Sequence, residues 1–325
     1  MTKQLAGFRQ NRRAVRGAVR SFTAGHSLQC LMLFSLGCGP LTLEEEGARV
    51  GQQEEALDNR QIRSVNGLSV NGLSVNGLSV NGLSVNGLSV NGLSSATFQG
   101  WFTADPAVRD IVMRYVVQCA VPSGQERTFT HPTTGVTYRW QGLLGLAPGW
   151  AGGAQATVAE QQTVSACMAA HTNKYGLAVS ISVLGKTAQG TPIPTTPEEL
   201  ASHSVKEACF FGNLFTHEGI YAATDRSSLN AAESTPRACG LTSQQGTTEC
   251  APIAHVGFCS DFCTPEPSTP FYSQCTYNGV TYRPLTTRIL PSDIYRCGDG
   301  VCQFTEHCGT GSTYDSCAAD CGTCP

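Results

Sequence analysis

Charge is scarce in this chain of 325 residues, and it forms no cluster that would suit a polyanion. Only 14% of the residues are charged. The first 38 residues contain six basic residues and no acid, whereas the rest of the chain has 15 basic and 24 acidic residues. Binding of nucleic acids depends on grouped Lys and Arg side chains that neutralise phosphates. The composition therefore excludes a nucleic acid as the expected partner.

The chain also lacks a hydrophobic run of the roughly 20 residues that a membrane-spanning helix needs. Its N-terminus instead combines a basic region with a short apolar run, from Leu31 to Leu36, which ends at Gly37-Cys38. This layout predicts a signal peptide over residues 1–38. The cysteine after Ser35-Leu36-Gly37 resembles the lipobox of bacterial lipoproteins, which implies acylation of Cys38 and anchoring to a membrane. The alternative is an ordinary signal peptide that is cut just after the same run.

Complete catalytic motifs are missing as well. There is no Gly-x-Ser-x-Gly elbow, and His217-Glu218 lacks the second histidine of a zinc protease because Tyr221 occupies that place. The sequence therefore favours a non-enzymatic protein. The alternative is a hydrolase whose catalytic residues meet only after folding. Five histidines are candidate catalytic residues, and they are dispersed along the sequence: His131, His171, His203, His217 and His255. Three tryptophans could form a sugar-binding platform: Trp101, Trp140 and Trp150.

Cysteine, by contrast, is abundant. Two of the 16 cysteines lie in the leader, and the other fourteen divide into even groups of eight and six. Even numbers behind an export signal predict disulfides, four in a core domain and three in the tail, with pairing left open. The alternative for Cys321-Gly-Thr-Cys324 is half of a zinc site. The predicted disulfide cysteines are Cys119, Cys167, Cys209, Cys239, Cys250, Cys259, Cys263, Cys275, Cys297, Cys302, Cys308, Cys317, Cys321 and Cys324.

Four acidic residues lie among the tail cysteines: Asp299, Glu306, Asp315 and Asp320. Carboxylate oxygens are the ligands that Ca²⁺ prefers. These side chains are therefore calcium candidates, and the alternative is that they are simply solvated. No cofactor other than this candidate calcium is expected.

Two low-complexity segments separate the leader from the cysteine-containing region. Residues 39–63 are polar and acidic, which predicts a disordered tether. Residues 64–94 repeat Ser-Val-Asn-Gly-Leu six times without a substitution. A period of five residues places Val and Leu on no constant face of a helix or a strand. We therefore expect a pentapeptide-repeat spacer that is a disordered, flexible linker.

The remaining chain predicts an α+β fold with a disulfide-stapled domain over residues 97–290 and a small cysteine-rich tail module over residues 297–325. Asp105-Pro106 is typical of a helix start, and Thr157 with Glu160 predicts a capping box for a second helix that reaches Lys174. A hairpin is expected across His131 to Gly135. Further strands are expected at residues 177–183, 210–215 and 219–223.

Several segments resemble uncharacterised cysteine-rich exported proteins of myxobacteria that are predicted to be lipoproteins. They include Met113-Arg-Tyr-Val-Val-Gln-Cys119, Gly145-Leu-Ala-Pro-Gly-Trp150 and the tail motif Cys297-Gly-Asp-Gly-Val-Cys302. The resemblance implies an exported, surface-associated protein and no particular activity. We therefore expect a cell-surface lipoprotein of the outer membrane whose domain binds carbohydrate or another surface protein. A hydrolase and a structural component of the envelope are the alternatives.

Overall fold

The computed structural model describes residues 64–66, 68–69, 87–173, 176–230, 232–241, 250–309 and 316–324. All of them belong to one unit that spans Ala56–Pro325. The predicted signal peptide with Cys38, the acidic tether, most of the repeat and Asp315 lie outside the described residues.

Helices and strands both contribute to this unit. The described helices are α1 Val90–Leu93, α2 Ala96–Ala104, α3 Pro106–Ala120, α4 Pro148–Ala151, α5 Val158–Ala170, α6 Pro197–Ser202, α7 Ala238–Leu241, α8 Cys259–Phe262 and α9 Ala318–Cys321, with a 3₁₀ turn at Pro291–Asp293. The described strands are β1 Ser64–Asn66, β2 Leu68–Ser69, β3 Glu126–Thr130, β4 Thr137–Gln141, β5 Thr172–Asn173, β6 Val179–Gly185, β7 Val205–Asn213, β8 Gly219–Thr224, β9 Glu233–Ser234, β10 Ile253–Phe258, β11 Cys263–Pro265, β12 Tyr272–Tyr277, β13 Val280–Tyr282, β14 Leu285–Ile289 and β15 Tyr295–Arg296.

A six-stranded sheet forms the centre of the fold, in the order β1-β6-β14-β7-β8-β10. Its neighbours are antiparallel except for β8 and β10, which run parallel. The carboxyl ends of this parallel pair therefore lie side by side at one edge of the sheet, where Thr224 is in register with Phe258.

The long helices begin where the sequence predicts. The Asp105 carboxylate accepts a hydrogen bond from Val108 N (3.4 Å), which caps α3. Thr157 and Glu160 form the reciprocal capping box of α5, with N–H···O distances of 3.2 and 3.0 Å. Helix α5 stops at Ala170, four residues before the predicted end, because Thr172–Asn173 pair with the repeat as β5.

Two apolar clusters occupy the two sides of the sheet. The larger one includes the completely buried rings of Phe98, Phe102, Trp150 and Phe210, and it also contains the buried side of α5. The smaller one is built around Cys209, Phe211, Cys259, Cys275 and Tyr282. The three-stranded sheet β11-β12-β13 contributes to this second cluster. The α+β prediction with a disulfide-stapled domain is thus confirmed.

Both ends of the repeat contact the domain that is predicted to begin near residue 97. Strand β1, from the first copy, pairs with β6 along the sheet edge. In the last two copies, Leu88 and Leu93 are buried. Leu88 N donates to Trp150 O (2.9 Å). The described parts of the repeat are therefore ordered because neighbouring backbone and apolar surface fix them, which period and composition alone do not reveal.

The cysteine-rich tail joins the domain through backbone and hydroxyl contacts. Strand β15 pairs with β9, and Cys297 N donates to Ala232 O (2.9 Å). Ser234 Oγ and Thr305 Oγ1 are 2.9 Å apart and buried. These contacts tie the start and the middle of the tail to the same segment of the domain.

Candidate binding site

An open depression of about 360 Å³ lies at the carboxyl ends of β8 and β10. Its walls come from the residues that follow β8, from the start of α8 and from β12. Loops at the carboxyl ends of parallel strands are a common place for ligand sites. The lining combines hydroxyl groups, one carboxylate, one guanidinium and one exposed ring: Thr224, Asp225, Arg226, Ser227, Phe258, Ser260 and Tyr272.

The ring of Phe258 is presented to solvent by a local irregularity of β10. The register between β8 and β10 shifts between His255 and Phe258, and Gly257 within that shift has φ +119°. A residue with a side chain rarely adopts this conformation, so glycine permits the bulge. Phe258 remains 46% exposed, whereas most phenylalanines of this domain are buried. An exposed ring next to polar groups suits a ligand with one apolar face.

Asp225 is held in a fixed position at the base of the depression. Tyr272 Oη donates to its Oδ1 at 2.6 Å, and Lys206 Nζ lies 3.6 Å from Oδ2. Burial, together with the hydrogen bond and the negative charge of Asp225, raises the pKa of Tyr272, so that hydroxyl stays protonated at neutral pH. These two contacts fix the orientation of the carboxylate, with lone pairs left for the hydroxyl groups of a ligand.

Thr224, which lines the depression, and the buried His255 behind it are the candidate catalytic pair. Thr224 Oγ1 and His255 Nε2 are 2.7 Å apart, and His255 Nδ1 is buried without a hydrogen-bond partner among the described residues. Burial lowers the pKa of His255 to about 4. The imidazole is thus neutral, which permits Thr224 to donate to it, but its low basicity disfavours proton abstraction at pH 7. No carboxylate is recorded in contact with Nδ1 in the described structure, so this pair lacks the third member of a triad.

Disulfides fix the elements behind the site. Cys209–Cys259 joins β7 to α8, and Cys263–Cys275 joins β11 to β12, with Cys209 Sγ 3.5 Å from Cys263 Sγ. The four sulfurs are bonded in pairs, so they are not the thiolates that a metal would need. The fourteen predicted cysteines form seven bridges: Cys119–Cys167, Cys209–Cys259, Cys239–Cys250, Cys263–Cys275, Cys297–Cys317, Cys302–Cys321 and Cys308–Cys324. Four bridges lie in the core and three in the tail. Cys321 and Cys324 are bonded to Cys302 and Cys308 and are therefore not free to form half of a zinc site.

The histidines singled out in the sequence occupy separate places. His131 Nδ1 accepts from Thr133 N (3.2 Å) in the hairpin turn, and His171 Nδ1 lies 2.8 Å from Cys167 O at the end of α5. His203 Nε2 is 3.0 Å from Ser180 Oγ, and His217 is exposed in the turn before β8. Only His255 adjoins the depression. The other four contact backbone or hydroxyl groups or lie on the surface, so they give no support to a hydrolytic centre.

The tryptophans have structural positions. Trp140 and Trp150 are buried in the larger cluster, and Trp101 is half-buried with the Arg109 guanidinium 5.2 Å from its ring centre. Trp140 and Trp150 therefore serve in core packing instead of on a sugar-binding platform. The exposed ring at the depression is Phe258, which the sequence did not single out. Glycine at position 257 was the available signal, because an isolated glycine in a strand marks a bulge.

Three of the four calcium candidates fall within the described part of the tail. The Asp320 carboxylate accepts hydrogen bonds from Gly298 N (2.6 Å), Asp299 N (3.3 Å) and Gly300 N (3.0 Å). Asp299 accepts from Val301 N at 2.9 Å. Burial and the nearby charges of Asp320 and Asp299 raise the pKa of Glu306. Asp299 and Asp320 thus organise the backbone of the loop, and calcium binding by the tail stays a prediction.

No family model, curated protein or solved structure matches the chain. Among the described residues, none of the helices combines the length and the apolar character needed to cross a membrane. The seven disulfides indicate an oxidising location outside the cytoplasm.

Proposed function

We propose that this protein is a cell-surface lipoprotein, related to the cysteine-rich exported proteins of myxobacteria, whose domain binds carbohydrate. The observation that carries the binding proposal is the exposed Phe258 ring beside the fixed Asp225 carboxylate and the hydroxyls of Ser227 and Ser260. Sugars offer an apolar face to a ring and hydroxyl groups to carboxylates and guanidinium groups. Arg226, which lines the depression with its Nη2 3.6 Å from Glu233 Oε2, supplies such donors. An acylated Cys38 in the outer membrane would hold this domain at the cell surface.

The binding proposal is tested with the purified full chain on a glycan array, followed by calorimetric titration of each glycan that is retained. Phe258→Ala is expected to weaken binding at least tenfold. Phe304→Ala is the matched control, because Phe304 is a second exposed phenylalanine (68%) in the tail. The control is expected to stay within twofold of the wild type. Retention of no glycan, or a loss caused by Phe304→Ala and not by Phe258→Ala, would contradict the proposal.

The anchor is tested separately in cells. A Cys38→Ala variant is expected to lose incorporation of labelled fatty acid and to leave the membrane fraction. If the Cys38→Ala variant still incorporates labelled fatty acid, Cys38 is not the acylated residue and the proposed anchor is wrong.

A hydrolase is the second candidate, and the Thr224–His255 distance of 2.7 Å is the observation in its favour. In that case Thr224 and His255 would be the candidate catalytic pair. Thr224→Val removes the hydroxyl at nearly constant volume. Release of sugar from a bound glycan by the wild type and not by this variant would establish the hydrolase in place of simple binding.

A further inference from the structure

The edge of the central sheet beside β6 contacts a sequence that the chain contains six times. Ser64, Val65 and Asn66 of β1 are in register with Ile181, Ser180 and Val179 of β6. Two residues later, Leu68 and Ser69 pair with Thr172 and Asn173 of β5. The paired segment is therefore the hexapeptide Ser-Val-Asn-Gly-Leu-Ser, which begins again at residues 69, 74, 79, 84 and 89.

From these two observations we propose that the β6 edge is a docking site for any of the first four copies of the hexapeptide, and that the copies exchange on it. A strand pair is held by backbone hydrogen bonds and by the side chains that face the partner. Because all these groups are the same in each copy, the edge has no means of preferring the first copy. The occupant we assign is the segment that follows β2, residues 69–84, in the same chain.

The far end of the repeat is fixed, which sets the limit of this exchange. The Arg127 guanidinium donates to Leu88 O at 2.6 Å, and Leu88 N donates to Trp150 O. A side chain at Gly87 would meet the backbone of Gly153 at 2.5 Å. Leu88 and Leu93 are buried in the core. The fifth and sixth copies are therefore held by these contacts, and the first four copies are the ones that can pair with the β6 edge.

The cost of exchange is small. With the first copy docked, 17 residues connect Ser69 to Gly87, and with the second copy docked 12 residues remain. Loop-closure entropy changes by only about 0.3 kcal/mol between these lengths, in favour of the shorter loop. The first two registers are thus close in free energy, and each further step shortens the connection by five residues, down to two when the fourth copy is docked. Each step transfers five residues, about 17 Å of extended chain, from the loop to the segment that precedes the domain.

This stepwise change in length would let the chain before the domain lengthen without unfolding the domain. Its use in a surface anchor rests on the proposed function, whereas the docking itself does not. A protein that binds no glycan would still show the exchange, so the two proposals fail in different experiments.

The test uses proline to remove backbone N–H groups from chosen copies. In an edge strand, the N–H groups of alternate residues point toward the neighbouring strand. Replacing both Val65 and Asn66 with proline therefore removes at least one N–H group that points toward β6. The readout is hydrogen exchange of the β6 segment, residues 179–181, followed by mass spectrometry of the full chain. The first variant has prolines in the first copy only. The second has them at the equivalent positions of copies two to four, and the third has them in all four.

The first and second variants are expected to keep the protection of β6 within about twofold, because another copy occupies the edge. The third is expected to lose protection at least tenfold. Loss in the first variant as large as in the third, or an unprotected β6 in the wild type, would overturn the proposal. Light scattering checks the occupant: the first variant is expected to stay monomeric, and a dimer would mean that a second chain supplies the strand, which would overturn the intramolecular assignment.

Discussion

The central domain and the cysteine-rich tail are held together by different interactions, although both contain disulfides. In the domain, large rings such as Trp140, Trp150 and Phe210 are at most 1% exposed. In the tail, Val301 and Phe304 are 57% and 68% exposed, and the described buried residues are Thr305, Glu306 and Cys317. The domain therefore derives its stability from apolar burial. The tail depends on its three bridges and on the hydrogen bonds around Asp320.

Because the domain has an apolar core and the described part of the tail does not, disulfides have different roles in the two regions. The Cys119–Cys167 bridge is completely buried between α3 and α5, which already pack through apolar side chains. The tail bridges span only 16 to 20 residues each, and the larger apolar side chains in the described part of the tail, Val301 and Phe304, are exposed. A segment of this size lacks the core that would fold it without cross-links.

The largest effect is expected from the buried ion pair in the domain. Arg237 Nε lies 2.8 Å from Glu207 Oε1, the side chains are 1% and 0% exposed, and Arg237 Nη1 also donates to Thr172 O. Arg237→Met leaves a buried carboxylate without its partner. We expect the free energy of unfolding to fall by about 3–5 kcal/mol, measured by urea denaturation.

Two controls separate the buried charge from the loss of an arginine. Arg139→Met removes a surface partner of Glu126, with side chains 64% and 41% exposed, and is expected to change stability by less than about 1 kcal/mol. Adding Glu207→Leu to Arg237→Met is expected to restore most of the lost stability. If Arg237→Met and Arg139→Met lower the free energy of unfolding by a similar amount, burial does not set the contribution of the ion pair. The proposed difference between the domain and the tail would then be wrong.

The second prediction concerns the tail bridges. Cys302→Ala with Cys321→Ala is expected to destabilise the tail by about 2–4 kcal/mol and to open it to proteolysis. The urea midpoint of the domain is expected to change less, because the contacts that join the two regions, such as the pairing of β15 with β9, are polar and lie outside the apolar core. Removing Cys119 and Cys167 instead is expected to lower that midpoint. If the tail variant lowers the domain midpoint as much, the two regions fold as one and the comparison fails.

Local patterns in the sequence predicted the features that depend on neighbouring residues. The cap at Asp105 and the capping box of Thr157 and Glu160 are examples, because their partners lie three positions away. The number of disulfides follows from an even count of cysteines. Which cysteines pair depends on distances in the folded chain, and spacing holds no information about Cys209 and Cys259, which are 50 residues apart.

The candidate site could not be predicted from the sequence, because it too depends on distances in the folded chain. Strand β10 follows a segment rich in turn-forming residues, and its parallel pairing with β8 is what brings Phe258 to Asp225 and Tyr272. Strand β14, with Thr286, Thr287 and Arg288, lies inside the sheet although its sequence is largely polar. Tertiary contacts decide the placement of such strands, and intrinsic preference is a weak guide to it.

The last prediction is a pH dependence of opposite sign in the two regions. Burial lowers the pKa values of His171 and His255 in the domain to about 4. The unfolded chain therefore binds more protons than the domain between pH 6.5 and 4, and the stability of the domain falls as pH falls through that range. From these values each histidine costs about 2 kcal/mol at pH 5. Asp293, whose pKa burial raises, opposes part of this loss.

In the tail the sign reverses. The raised pKa of Glu306 means that the folded tail binds a proton more readily than the unfolded tail, so its stability increases as pH falls through the folded pKa. Urea denaturation of the domain and hydrogen exchange of the tail, each at pH 7 and pH 5, measure the two effects. His255→Gln is expected to reduce the acid sensitivity of the domain, and Glu306→Gln is expected to abolish the response of the tail. A tail that weakens in acid together with the domain would show that its stability comes from the interior of the domain and not from its own bridges and carboxylates.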